Sequence, residues 1–118
     1  MKSGNVVQDK SYKFALKVIS TCRILSEEKK EFVLSRQLLK SGTSIGANVE
    51  EAIGGQSKKD FVAKLSIAYK EARETKYWLR LLRDSNLMTK EDAYSMLVEV
   101  EELLRIIGSI IKTSRKSV

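Results

Sequence analysis

The sequence predicts an all-α fold: residues 1–118 form one domain, an antiparallel up-down-up-down four-helix bundle. Three observations predict it. There is no proline among the 118 residues, although average usage is about 5%. Proline breaks helix interiors and helps to build loops, so its absence favours long helices joined by brief turns. Apolar residues recur at alternating steps of three and four through most of the chain, the period of a helix face. The polar runs between these patterns are short, which makes successive helices antiparallel neighbours. A hydrophobic content of 42% supplies one core.

The first helix is expected from Asp9, an N-cap residue type, to about Ser26. Ala15, Val18, Cys22 and Leu25 form its seam, and Phe14 and Ile19 widen it. The charged run SEEKKE reads as a solvated turn, and a second helix begins near Glu31 or Phe32. Leu38, Ile45, Val49 and Ala52 continue the pattern with Gly42 in the vacant slot, up to a C-cap and turn at Ile53-Gly54-Gly55-Gln56. Ser57 and Asp60 make a capping-box-like start for the third helix. Phe61, Leu65, Ala68, Ala72, Thr75, Leu79 and Leu82 then step by four and three, and the pattern stops near Asp84-Ser85-Asn86. Thr89 and Asp92 repeat the cap for a fourth helix. Its main seam is Ala93, Leu97, Val100, Leu104, Ile107 and Ile111, beside a second stripe of Met96, Leu103, Ile106 and Ile110. The polar tail KTSRKSV is expected to fray. Trp78, Ile67 and Leu81 lie outside the third seam, and this wide apolar surface favours a homo-oligomer.

Several function classes are excluded by counting. The chain has no histidine, the usual proton shuttle and metal ligand, and a single cysteine, Cys22, which reads as a small core side chain. The stretch SGTSIGANVEEA, residues 41–52, is not a P-loop: Gly42 and Gly46 are separated by three residues where four are needed, and Ala47 stands where lysine is needed. Ser41 and Ser44 have no histidine to activate them and a Ser-Lys arrangement lacks a supporting motif, so no catalytic residue, cofactor or metal site is assigned, and the chain is read as a non-enzyme. Glu50, Glu51, Glu71 and Glu74 are read as partners of nearby cations rather than as cation ligands. Gly42 and Gly46 share a helix face, as do Ser44 and Asn48. This small-residue face predicts close helix packing, with Ser44, Asn48 and Glu51 hydrogen-bonding across the contact. The opening MKSGNVVQDKSYKF lacks the roughly 7–15-residue apolar run of a signal peptide. No segment approaches the ~20 apolar residues of a membrane span, so the expectation is a cytoplasmic protein without membrane contact.

Lys and Arg number 22 against 15 Asp and Glu, a net charge of +7. Such an excess attracts polyanions, and it equally serves solubility. On the third helix Tyr69, Arg73, Lys76, Arg80 and Arg83 step by four, three, four and three. They share a face about 80° round from the seam and span about 20 Å. Tyr77 borders this stripe, and Lys58 and Lys59 add charge at the helix start. Cations at this spacing track phosphates, and tyrosine stacks on unpaired bases. The competing assignment is ion pairing with Glu71 and Glu74 on the same helix, or with Glu99, Glu101 and Glu102 on the fourth.

The stretch SGTSIGANVEEAIGGQSKKDF, followed by LSIAYKEARETKYWLRLL, resembles the 23S rRNA-intervening-sequence proteins. It is similar also to the accessory variability determinant proteins of diversity-generating retroelements. Ser44, Ile45, Asn48 and Glu51 match the family's central motif, roughly Ser-Ile, two residues, Asn-Ile-Ala-Glu-Gly. Val49 replaces its second isoleucine, Glu50 its alanine and Ala52 its glycine. The resemblance implies a helical bundle assembling as a ring-like homopentamer, and it implies no known catalytic activity. It further implies RNA or DNA binding for the retroelement relatives, which work with a reverse transcriptase. The alternative is a protein–protein scaffold or adaptor with no nucleic-acid role.

Overall fold

The computed structural model describes residues 3–116, with side chains from Val6 onward. Four helices make up most of them: α1 (Ser3–Glu27), α2 (Val33–Ile53), α3 (Lys58–Asp84) and α4 (Lys90–Lys116). No strand occurs among the described residues. A 27-residue helix is about 40 Å long, which matches a molecule of 48 × 24 × 21 Å with its rods along the long axis.

Pairing between helices fixes their directions. Gln8 meets Glu50 and Cys22 meets Ser35, so α2 runs back along α1. Glu51 meets Lys64 and Ser41 meets Thr75, so α3 reverses again. Lys76 meets Glu101 while Tyr69 lies against Gly108, which reverses α4. Lys10–Glu102 and Lys17–Glu99 close the ring between α1 and α4, the widest of the four seams. The bundle is therefore antiparallel, up-down-up-down.

One core runs through it. Phe14, Val18, Leu38, Ile45, Val49, Leu65, Leu79, Leu82, Leu103 and Ile107 lose essentially all contact with water. At about 25 cal/mol per Å² of apolar surface, this burial is the main source of stability. The α3 seam is buried from Leu65 to Leu82 as the periodicity predicts, with Phe61 half-buried at its start.

Other elements differ from expectation. α1 begins at Ser3, and Asp9 lies inside it, paired 3.0 Å from Lys13 one turn on. Its buried face is Val7, Ser11, Phe14, Val18, Cys22 and Leu25, which leaves Ala15 half-buried and Ile19 exposed. In α4, Met96 and Leu103 take the core places expected of Leu97 and Leu104. Each is adjacent to its rival in sequence, and a 3–4 period is satisfied by either. The tail is helical through Lys116 rather than frayed, with Ser114 half-buried; its last two residues lie outside the described ones.

The turns are specified locally. Ser57 caps α3 by accepting from the Asp60 amide at 3.1 Å. Thr89 accepts from the Asp92 amide at 3.1 Å at the start of α4. The Glu31 carboxylate accepts the Leu34 amide at 2.9 Å, so one acid of the charged SEEKKE turn satisfies the exposed N-terminus of α2. Lys30 and Asn86 take left-handed backbone, φ 56° and 64°, where the chain must reverse between helices.

Candidate nucleic-acid interface

The segment 41–52 lies wholly inside α2, with Ser41, Gly42, Ile45, Gly46, Val49 and Ala52 buried. Its glycines face α1. A Cβ on Gly42 would sit 2.7 and 2.8 Å from the two Val18 methyls, and one on Gly46 would sit 3.4 Å from the Ser11 carbonyl oxygen. Across the other side, Thr75 Oγ1 of α3 lies 2.9 Å from Ser41 Oγ and 2.8 Å from the Glu71 carbonyl, in full burial.

The polar residues expected to bridge helices behave differently. Ser44 Oγ donates to the Lys40 carbonyl at 2.6 Å, and Asn48 Nδ2 donates to the Ser44 carbonyl at 2.8 Å, both within α2. Only Glu51 of the three reaches another helix, by an exposed 3.1 Å pair with Lys64. Glu50 accepts from Gln8 Nε2 at 2.9 Å and Glu74 from Trp78 Nε1 at 3.1 Å. Among the described residues no group of three or more His, Cys, Asp or Glu is placed to hold a metal ion. Cys22 is buried and donates to the Ser35 carbonyl at 3.2 Å; burial pushes its thiol pKa up, with the Ser35 side-chain hydroxyl pulling the other way.

The basic stripe is brought together in part. Tyr69, Arg73, Lys76, Tyr77 and Arg80 line a groove of about 470 Å³ along the α3–α4 seam, with Glu101, Leu104 and Arg105 as its other wall. The periodicity of α3 accounts for the first wall, since positions three and four apart lie on one face. Lys76 is paired with Glu101, whose Oε1 is shielded from solvent. Arg73 and Arg80 make no ion pair among the described residues. Tyr77 is half-exposed, with its ring 5.1 Å from Trp78 in an edge-on arrangement.

Three members of the stripe stand apart. Arg83 turns to its neighbour Asp84, 2.7 Å away, an interaction that raises the guanidinium pKa. The same hydrogen bond holds Asp84 below the usual carboxylate range, helped by the nearby charges of Arg80 and Lys90. Lys58 and Lys59 begin α3, ten or more residues before Tyr69, which is at least ~15 Å along the axis. Of the acids on α4, Glu99 and Glu102 pair with Lys17 and Lys10 of α1 and leave the stripe alone. Arg105 was not among the expected site residues. Its partners in the groove belong to α3, and only the packing of α4 on α3 brings them near.

An antiparallel all-helical bundle defines the class, and comparison with known proteins identifies the family. Residues 4–109 match the model of the 23S rRNA-intervening sequence protein family, and the chain belongs to that family. It is similar to a crystal structure of a protein with unknown function from the S23 ribosomal protein family of Bacteroides thetaiotaomicron VPI-5482. The two are 48% identical with a TM-score of 0.92, over 94% of this chain and 99% of that one. No curated protein matches the chain. No helix among the described residues is long and apolar enough to cross a membrane.

Proposed function

We propose that this chain is a non-enzymatic, homo-oligomeric bundle protein of the cytoplasm that binds nucleic acid, RNA or DNA, through the basic face of α3. One observation carries the proposal. Arg73 and Arg80, without ion pairs among the described residues, line one groove with Lys76 and Arg105, against a single carboxylate already engaged by Lys76. Neutralising phosphates there releases counterions, so binding is weakly sequence-dependent and steeply salt-dependent. A nucleoprotein such as a reverse transcriptase bound to its RNA presents the same phosphates. The resemblance to retroelement accessory proteins supports that partner, and it supports a homopentamer.

The test is anisotropy with a structured RNA at two salt concentrations. The double variant Arg73→Glu/Arg80→Glu is expected to lose binding while light scattering shows unchanged assembly. Arg23→Glu/Lys13→Glu, the same charge change on exposed positions of α1, is expected to retain most of it. No binding by the wild type at low salt defeats the proposal.

A second reading has its own observation. Tyr12, Leu16 and Ile19 form an outward apolar stripe on α1, 62%, 50% and 38% exposed. Such a stripe serves association between proteins, and a scaffold needs no nucleic acid. Disassembly of Arg73→Glu/Arg80→Glu, with no nucleic acid bound by the wild type, favours it.

A further inference from the structure

We infer that the α3–α4 groove takes an unpaired nucleic-acid strand, held between cations of both helices, rather than a duplex resting on α3 alone. This rests on the nucleic-acid reading above and names the form of the ligand. The second wall is the new element. On the other side of Tyr69, along the same α3–α4 seam, lies a second cavity of about 250 Å³ lined by Ser66, Tyr69, Gly108, Ile111 and Arg115. Tyr69 lines both recesses and stands between them, and together they form a trough along the seam with Arg73, Lys76, Arg80 and Arg105 on one side of the ring and Arg115 on the other. Its ring lies so near the α4 backbone that a Cβ on Gly108 would be 3.3 Å from Cε1, so glycine there lets the ring sit low in the trough. Arg105 and Arg115 are both exposed and make no ion pair among the described residues.

The dimensions select the ligand. From Ser66 to Arg80 the trough follows α3 for about 21 Å at ~1.5 Å per residue. That length accommodates about six phosphates at the ~3.4 Å spacing of one stacked strand. Helices in contact lie only about 8–10 Å apart, so the trough between them admits one backbone. A B-form DNA duplex, whose major groove alone is about 12 Å wide, would ride on the ridges and miss the wall formed by Arg105. Tyr77, half-exposed on the rim, offers a ring to an unpaired base, which a base-paired ligand cannot reach.

The experiment compares a fluorescein-labelled twelve-nucleotide single strand with its duplex, by anisotropy, on the full chain. The wild type is expected to bind the single strand about tenfold more tightly at equal salt. In Arg105→Ala/Arg115→Ala the log–log salt slope for the single strand is expected to be shallower by about 1.4, at ~0.7 per phosphate contact. Tyr77→Ala is expected to cost about tenfold on the single strand and little on the duplex. Circular dichroism confirms that each surface variant is folded. Equal or tighter duplex binding, or an α4 double variant indistinguishable from wild type, overturns the groove while leaving a binding face on α3. Failure of the wild type to bind either form overturns both proposals.

Discussion

At the scale of single residues, the two glycines of α2 look equivalent in the sequence and are not equivalent in the molecule. A methyl on Gly42 meets the two Val18 methyls inside 3 Å, and Val18 is fully buried and β-branched, with little freedom to turn away. Overpacking of that kind costs about 1–3 kcal/mol, against a gain of about 1 kcal/mol from replacing glycine in a helix. Gly42→Ala is therefore expected to destabilise by about 1 kcal/mol. A methyl on Gly46 stands at 3.4 Å from the Ser11 carbonyl oxygen, near ordinary contact. Gly46→Ala is expected to be neutral or to stabilise by up to about 1 kcal/mol. Urea unfolding midpoints decide; equal effects of the two substitutions contradict the account. Small-residue packing was legible in the sequence at this scale, but which atoms oppose each glycine depends on the rotation of α1, and that is set by tertiary contact. Cys22 supplies a second residue-scale test. Its pKa is raised in the fold by burial, so its contribution to stability is whole below the unfolded thiol value, about 8.5, and declines as pH rises through the folded one. Unfolding at pH 7.5 and pH 10 is expected to show a loss in wild type that is smaller in Cys22→Ala.

At the scale of elements, caps and seams determine where helices begin and which face they bury. Ser57 has extended backbone and its hydroxyl accepts the Asp60 amide, satisfying one of the otherwise unpaired N–H groups of α3. Ser57→Ala is expected to cost about 1 kcal/mol, and Ser57→Asp to cost little, by thermal unfolding. A loss in Ser57→Asp as large as in Ser57→Ala removes the cap from the explanation. The sequence made this start legible because serine and aspartate three apart occur where an apolar period begins. It misplaced the start of α1 because Asp9 is also an ordinary exposed helix residue, able to pair with Lys13 one turn away. It exchanged Met96 and Leu103 for Leu97 and Leu104 because adjacent apolar residues satisfy the same period. The candidate site divides in the same way. Tyr69, Arg73, Lys76 and Arg80 were legible as one face of α3, since intrahelical spacing places them there. Arg105 and Arg115 were not, because their relation to that face exists only after α4 has packed. Arg83 was assigned by spacing to a stripe from which its neighbour Asp84 withdraws it.

At the scale of the whole molecule, two kinds of force hold four rods together, and their magnitudes differ. Lys10–Glu102 and Lys17–Glu99 close the widest seam, but their side chains keep 30% to 53% of their exposure. Ion pairs of that kind contribute about 0–1 kcal/mol each and are screened by salt. One fully buried leucine contributes more: Leu79, with no exposure, is expected to cost about 2–5 kcal/mol when cut to alanine. Salt should therefore separate folding from binding. Raising NaCl from 50 mM to 1 M weakens the inter-helix pairs, yet it also screens the mutual repulsion behind a net charge of +7. The two effects oppose each other, and the apolar core is untouched by either. The melting temperature is thus expected to move by only a few degrees across that range, less than it moves in Leu79→Ala. Nucleic-acid retention, which on the proposed function depends on neutralised phosphates, is expected to vanish over the same range. Circular dichroism melts and anisotropy in one salt series read both quantities. A bundle that unfolds at 1 M NaCl would show that charge, and not the buried seams, sets its stability.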